Sequence, residues 1–558
     1  MDKKGYIIGI SSYYHDSSAC LFKDGQLLFA CEEEKFTGIK HDSSFPTNTL
    51  NYIFKKYKLT KKNIDVICYY EDPKLKLDRV IKTIKPQLFK NPIYSLKSYI
   101  QIKNNIRNLK KNLSKYSDNV FYSTHHESHQ HYSFYSSNFE KSLCLTIDGV
   151  GEWDTLSIGL AEGSNIDYMS MATYPHSIGL FYSAMTSFLG FKPNEGEYKM
   201  MGLSSYGDPD YYMDKVRELI TFKNSTLKCN MDVFCWDRDN KIMFNEKLLE
   251  LLDMEPRSVN DSIEPRHKDL AASIQKRYEE ILFEVLKSVS LMDYSNNLCL
   301  SGGCAYNGTA NGKIVKQTNI NHLWIPPAPS DAGSSIGACL HYLVKNNKLT
   351  GRLKRNAFLG PYFLHGTVVN SIKNTKHFKF ISEQSLFRYV AKKLNEGKVV
   401  GWYQGSCEFG SRALGNRSIL ANPTLSGMRD KINKVIKKRE GFRPFAPMVI
   451  KSKQDIYFEM TEDVPYMNQV VNVRPEYRDI LTEVTHVDGT ARVQTVYGQT
   501  QIHELLTEFE KLSGYPVLLN TSFNIKDKTM VLTPNDAIET FYDTDMDLLV
   551  INNFIIFK

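Results

Sequence analysis

No apolar run in the 558-residue sequence approaches 18 residues, which excludes a membrane-spanning helix. Its ten cysteines include no CxxC pair, and several sit inside apolar runs such as Leu143-Cys144-Leu145 and Leu298-Cys299-Leu300. Reduced, buried thiols are expected, and a thiolate zinc site is not. There is no GxxxxGK[ST] loop and no kinase catalytic-loop set. That argues against Walker-type ATPases and protein kinases. The start, Met1-Asp2-Lys3-Lys4-Gly5, leads straight into strand-like Tyr6–Ile10. It lacks the apolar stretch and cleavage site of a secretory signal, so the expected compartment is the cytoplasm.

What is present reads as globular. Charged residues make up 24% and apolar ones 42%, and 33 Tyr with 30 Phe exclude global disorder. At roughly 150 residues per domain the length predicts three or four units, or two large ones. The net charge of +8 is unevenly placed. Residues 74–115 hold twelve basic residues and one acid, Asp78, a local +11 that leaves the remainder near −3. Such a segment suits an acidic partner or a solvated helical face, and no aromatic-glycine RNA motif accompanies it.

Alternation predicts strands at 6–11, 17–23 and 27–33, and again at 143–149, 155–161 and 167–173. Two strand-turn-strand units, each with a polar loop after its first strand, suggest a duplicated α/β core. That is the architecture of the actin, sugar-kinase and chaperone ATPase superfold. Helical periodicity covers 264–290, and a buried strand, Asn297–Ser301, leads into Gly302-Gly303. The pattern weakens near 348–362. We therefore expect a first domain over 1–350, a linker over 351–375 and a second domain over 376–558.

Chemistry-bearing residues fall into two groups. In His125-His126-Glu127-Ser128-His129 a helix would put His125 and His129 on one face, four residues apart, suited to two ligands of one metal. Asp148, ending a buried strand before a glycine, and Asp331, in a sharp turn before a helix, are the candidate carboxylate partners. His131 competes but faces elsewhere on a helix. Two imidazoles and two carboxylates would suit iron(II), zinc or manganese. Gly302-Gly303 after its strand has the form of a phosphate or nucleotide turn. In the second half, Arg412 and Arg417 lie in Glu408–Ser418, and Lys437 and Arg443 lie in Asn433–Phe445. Arg492 follows, and Asn520-Thr521-Ser522-Phe523-Asn524 ends an apolar strand. Cations among Gly, Phe and Pro imply a polyanion such as ATP, pyrophosphate or carbamoyl phosphate.

Taken in order, these motifs resemble one family over nearly the whole chain. They are Tyr14-His15-Asp16-Ser17-Ser18-Ala19, Lys40-His41-Asp42, the His125–His129 run, Asp148-Gly149-Val150-Gly151-Glu152 and Ser301-Gly302-Gly303 through Asn307. Glu32–Phe36, Lys199–Leu203, Pro329–Gly333, Gly410–Ser418, Lys437–Pro447 (with Arg439 and Phe442) and Asn520–Asn524 complete the set. The chain resembles the O-carbamoyltransferases of antibiotic and nodulation-factor biosynthesis. The resemblance implies an actin-like transferase domain followed by an α+β YrdC-like domain. The second would make carbamoyl-AMP from carbamoyl phosphate and ATP. The first would pass the carbamoyl group to a hydroxyl of a small-molecule acceptor beside iron(II) or another divalent metal, with magnesium as a further candidate ion.

By motif position the resemblance makes His125, His129, Asp148 and Asp331 the metal ligands and His15 the acid/base. Lys40, Gly149, Gly302, Gly303 and Asn307 would line a carbamoyl-adenylate pocket. Arg412, Lys437, Arg443, Arg492, Asn520 and Ser522 would hold ATP and carbamoyl phosphate. Two departures stand out: Gly405-Ser406-Cys407 with Ser411 removes one family cation, and Asn524-Ile525-Lys526-Asp527 lacks the usual glycine. No membrane or nucleic-acid partner is expected, and the protein should be a monomer or homodimer. Two competing readings are a tRNA threonylcarbamoyl transferase fused to its adenylate synthase and a non-catalytic actin-like ATP-binding regulator.

Overall fold

The computed structural model describes residues 5–89, 92–238, 242–373, 375–438, 441 and 443–558. Arg439 and Phe442 of the second-half motif lie outside the described residues. The chain forms two compact units, one comprising 1–33 and 41–355, the other 34–40 and 356–558.

The first unit is built on two five-stranded sheets of identical topology. The first contains β1 (Tyr6–Ser11), β2 (Ser18–Lys23), β3 (Gln26–Glu32), β4 (Ile64–Tyr69) and β5 (Val120–Tyr122), in the order 3-2-1-4-5. Strands β1 to β3 pair antiparallel, while β4 and β5 join in parallel. The second contains β6 (Lys141–Ile147), β7 (Asp154–Glu162) and β8 (Asn165–Thr173). After a hairpin of β9 (Ile220–Lys223) and β10 (Thr226–Cys229), it is completed by β11 (Asn297–Ser301) and β12 (His322–Trp324). Its order is β8-β7-β6-β11-β12, again with an antiparallel meander extended by two parallel strands. The repeated order bears out the duplicated actin-like core expected from sequence. The strands did so because their apolar residues alternate or run continuously, the pattern of half- and fully buried strands.

Helices fill in behind these sheets. Pro265–Ser290 starts with proline at its first position under a Glu264–His267 capping box, and its Leu270, Ile274, Ile281, Leu282, Val285 and Leu286 are buried. Helices His125–Ser136 and Asp331–Lys345 cross so closely that a Cβ on Gly337 would lie 1.7 Å from the Ser128 carbonyl oxygen. Only glycine permits that approach, and it draws the helix of His125 and His129 against the helix opened by Asp331.

The second unit holds one mixed eight-stranded sheet, β13-β22-β21-β14-β15-β20-β16-β19. Its strands are β13 (His377–Phe380), β14 (Val400–Tyr403), β15 (Arg417–Ala421), β16 (Ala446–Ile450), β19 (Gln494–Val496), β20 (Val517–Ser522), β21 (Leu548–Ile551) and β22 (Phe554–Phe557). A separate pair, β17 (Val470–Asn472) and β18 (Thr490–Arg492), lies outside it. Alternate residues face two cores. Val399, Ile419 and Leu519 enter one, while Val400, Leu420 and Leu518 enter the other. The segment read as a linker carries helix His365–Ile372, whose Val368 and Ile372 join the first of these cores.

Candidate functional site

The first unit gathers His125, His129, Asp148 and Asp331, all buried, with one donor atom from each lying within 4.8 Å of the others. His125 and His129 are one turn apart on their helix, Asp148 follows β6, and Asp331 opens its helix. His125 Nε2 is 3.3 Å from His129 Nε2, 3.3 Å from Asp148 Oδ2 and 3.4 Å from Asp331 Oδ1. His129 Nε2 is 3.2 Å from Asp148 Oδ2 and 3.5 Å from Asp331 Oδ1. Four donors arranged tetrahedrally about 2.0–2.1 Å from a centre stand about 3.3–3.4 Å apart, so the set could hold one divalent ion.

The hydrogen-bond pattern points the same way. Both Asp331 carboxylate oxygens are buried without a hydrogen-bond partner among the described residues. Such atoms are costly to bury unless something else satisfies them. Burial would raise the Asp148 and Asp331 carboxyls, but the two histidines hold both below the usual range. The supporting residues are fixed. Glu152 accepts from the His125 amide (3.1 Å) and the Asp72 amide (2.6 Å), and burial pushes its carboxyl up to about 7. Gly149 N–H donates to Asp148 Oδ1 at 2.7 Å, leaving Oδ2 for the histidines. Ser334 Oγ lies 3.3 Å from His129 Nδ1. His131 is set apart: its ring stacks on His341 at 4.5 Å, and burial, with His341, pushes it down to about 3.

His15 lies in the loop between β1 and β2. Its Nδ1 is 3.0 Å from Asp16 Oδ2, and the other Asp16 oxygen lies 2.7 Å from His41 Nδ1. Tyr13, Asp16 and His41 all adopt positive φ, at 71°, 52° and 52°, the local strain that functional loops retain. Burial works against a charge on His15, but the carboxylates of Asp331, Asp16 and Asp148 outweigh it and push it up to about 10. Without an ion among those carboxylates His15 is therefore an imidazolium at neutral pH. Tyr14, Asp16, His41 and Glu152 lie within the family motifs, but the sequence alone assigns them no role. Repeated acidic and aromatic residues around His15 were the available signal.

The glycines of this unit shape the backbone around Asp148. Gly302 has φ +89°, and a Cβ there would lie 2.2 Å from the Ile147 carbonyl oxygen. A Cβ on Gly303 would approach Asp148 Oδ1 to 3.2 Å. Asn307 is engaged on both ends of its amide: Oδ1 accepts from the Ala310 amide (3.1 Å) and Gln275 Nε2 (3.0 Å), and Nδ2 donates to Gln275 Oε1 (3.0 Å). Lys40 closes the short segment 34–40 that groups with the second unit.

In the second unit Lys437 and Ser522 meet. Lys437 is buried, and its Nζ donates to Asn524 Oδ1 (2.7 Å), Asn524 O (3.0 Å), Ser522 Oγ (3.3 Å) and Ser522 O. Asn433 Nδ2 donates to the Arg443 carbonyl at 3.2 Å, tying Arg443 to the same turn. Arg412, Arg443 and Arg492 are half-buried. Asn520 is buried and donates to Ala413 O and Gln494 Oε1, both at 2.9 Å, bracing the Arg412 loop. Arg417 proves to be internal. Its guanidinium lies 3.6 Å over the Tyr403 ring and donates to the Gln404, Gly405 and Asn416 carbonyls. Glu408 receives the Leu414, Asn416 and Arg417 amides at 2.9–3.0 Å. Of the loop's two guanidinium groups, Arg417 holds its backbone.

The comparisons with known proteins agree across the chain. Residues 6–340 match a model described as the carbamoyltransferase N-terminus, and residues 391–558 one described as the carbamoyltransferase C-terminus. The chain is 38% identical to an uncharacterized protein of Synechocystis sp., covering 99% of this chain and 97% of that one. It is 34% identical to nodulation protein NolNO of Sinorhizobium fredii, covering 98% and 80%. A solved structure of full-length HypF in its phosphate- and nucleotide-bound form is similar at 14% identity and TM-score 0.35, covering 63% and 56%.

Proposed function

The chain belongs to the carbamoyltransferase family, and on that premise we propose that it is an ATP-dependent O-carbamoyltransferase with its two half-reactions divided between the units. The observation that carries this is the four-donor cluster beside His15, in a chain whose other unit holds the buried Lys437–Ser522 turn.

In the second unit carbamoyl phosphate, ATP and water would yield carbamoyl-AMP, pyrophosphate and phosphate. Lys437, Arg443, Arg412 and Arg492 would bind and orient the phosphates, and Ser522 would be a hydroxyl donor beside them. In the first unit the acceptor hydroxyl would attack the carbamoyl carbon. The C–O bond to AMP would break, giving the carbamate ester, AMP and a proton. His125, His129, Asp148 and Asp331 would hold a divalent ion, which supplies Lewis-acid polarisation when bound. His15 would handle the proton at its Nε2, with Asp16 holding Nδ1 and so fixing the ring. Gly149, Gly302 and Gly303 would admit the adenylate close to the backbone.

The test is to supply ATP with carbamoyl phosphate and measure pyrophosphate and AMP, then add a panel of hydroxylated acceptors. Pyrophosphate and carbamoylated product are expected. Pyrophosphate formed from threonine and bicarbonate, but not from carbamoyl phosphate, would replace this reading with threonylcarbamoyl transfer.

A further inference from the structure

The basic segment 74–115 has no part in the proposed chemistry, and its structure is not that of an ordinary solvated face. Helix Pro73–Ile84 is followed by a short turn and helix Pro92–Leu113, about 33 Å long. The second helix buries Ser95, Ile102, Leu109 and Leu113, which share one face. The opposite face at 3.6 residues per turn carries Ile93, Leu96, Lys97, Ile100, Asn104, Arg107 and Lys111, all exposed. Its first half is aliphatic where a soluble helix carries charge.

Neighbouring residues extend the patch. Leu75, Ile81 and Leu88 are exposed, and Phe89, in the turn between the helices, is 98% exposed. Seven exposed large apolar side chains therefore fall between residues 75 and 100, a concentration that marks an interaction surface. Lys74, Lys85, Lys97, Arg107, Lys110 and Lys111 are exposed among them and form no ion pair among the described residues. The cations on this segment that do pair are few: Lys76 with Glu71 at 2.8 Å and Lys82 with Asp78 at 2.9 Å.

We propose that this helical hairpin docks the protein on an anionic bilayer surface, with Leu88, Phe89, Ile93 and Leu96 entering the interface and the cations meeting acidic headgroups. Charge complementarity selects the occupant. Aliphatic side chains inserted at the headgroup boundary, flanked by unpaired Lys and Arg, are the two components of interfacial binding. A nucleic acid would use the cations but leave Leu88, Ile93, Leu96 and Ile100 without a role, since bases stack on aromatic faces. The docking site is separate from the four-donor cluster and does not depend on the reading of the reaction.

The experiment is co-sedimentation of the whole protein with vesicles of phosphatidylcholine alone or mixed with phosphatidylglycerol, at low and high salt. Binding to the mixed vesicles only, weakened by salt, is expected. In K85E/K97E/R107E each lost cation removes about fivefold of affinity, so binding should fall about a hundredfold or more. L88S/F89S/I93S should lose binding at every salt concentration. Phe89→Trp should give blue-shifted emission on mixed vesicles and be quenched by brominated lipid, a readout that keeps the basic face intact. All three variants should keep parental activity in vesicle-free solution. The inference is overturned by absence of binding to mixed vesicles, or by equal binding to phosphatidylcholine alone. It is also overturned by retained binding in either triple variant. So is it by salt-sensitive RNA binding without vesicle binding, or by a dimer that the serine variant dissolves without vesicle binding.

Discussion

The two units treat buried charge in opposite ways. The first concentrates carboxylates and imidazoles: Asp148 and Asp331 stand 3.2–3.5 Å from two histidine nitrogens, and both Asp331 oxygens accept no hydrogen bond among the described residues. The second buries a cation, Lys437, and wraps it in the oxygens of Ser522 and Asn524. On the proposed reading, donors meant for a cation would stay unsatisfied by other protein groups. A site that handles anions keeps its ammonium hydrogen-bonded to neutral oxygens that a phosphate can replace. On the proposed reading the contrast would separate ion binding and transfer from phosphate binding, and single substitutions can test it.

The largest effect should come from His129→Ala. It removes one corner of the donor set, so bound metal measured by atomic spectrometry should fall to background and carbamoyl transfer should vanish, while pyrophosphate release persists. Unchanged metal content would dissolve the contrast. Next is His15→Asn, which should keep metal and pyrophosphate release but slow transfer by about 10²–10⁴-fold, the usual range of general acid–base catalysis. Lys437→Ala should leave metal content unchanged and cut carbamoyl phosphate-dependent pyrophosphate release by about tenfold or more, the loss of one charge-assisted contact. Normal release would remove Lys437 from phosphate binding.

A smaller effect concerns pH and the ion-free protein. His15 is raised from its ordinary value of about 6.5 to about 10 by the carboxylates around it. A raised folded value stabilises fully below about 6.5 and is lost as pH climbs through about 10. Metal-stripped parent protein should therefore lose more stability between those limits than His15→Asn, measured by denaturant unfolding. Equal losses would place the His15 titration elsewhere. The smallest is architectural. Gly337→Ala puts a methyl 1.7 Å from the Ser128 carbonyl and should destabilise the first unit by about 1–3 kcal/mol, with some loss of metal affinity and none of pyrophosphate release.

Much of this was legible in the chain because it is local. Strand alternation around Tyr6–Ser11 and Lys141–Ile147, the i, i+4 spacing of His125 and His129, and the glycines after β11 are statements about neighbours, and a period of 2 or 3.6 residues suffices to read them. Ordered motifs carried the family. The basic charge of 74–115 is equally visible, but composition alone leaves an acidic partner and a solvated face both open.

Other features required the fold. Arg412 and Arg417 look alike in sequence, yet only the position of the Tyr403 ring and three nearby carbonyls shows that Arg417 is internal. His125, His129 and His131 share one helix, yet stacking against His341, from 210 residues further on, sets His131 apart. Asp16 is bound to His41 across a turn whose strained φ values no pattern announces. The aliphatic face of helix Pro92–Leu113 becomes a surface only once Ile102, Leu109 and Leu113 are seen to bury the other side. Sequence determined the elements and the donor types, because propensity and spacing act over a few residues. Tertiary structure alone decided which donors converge, which charges are buried and which apolar residues stay exposed, because those depend on contacts between segments hundreds of residues apart.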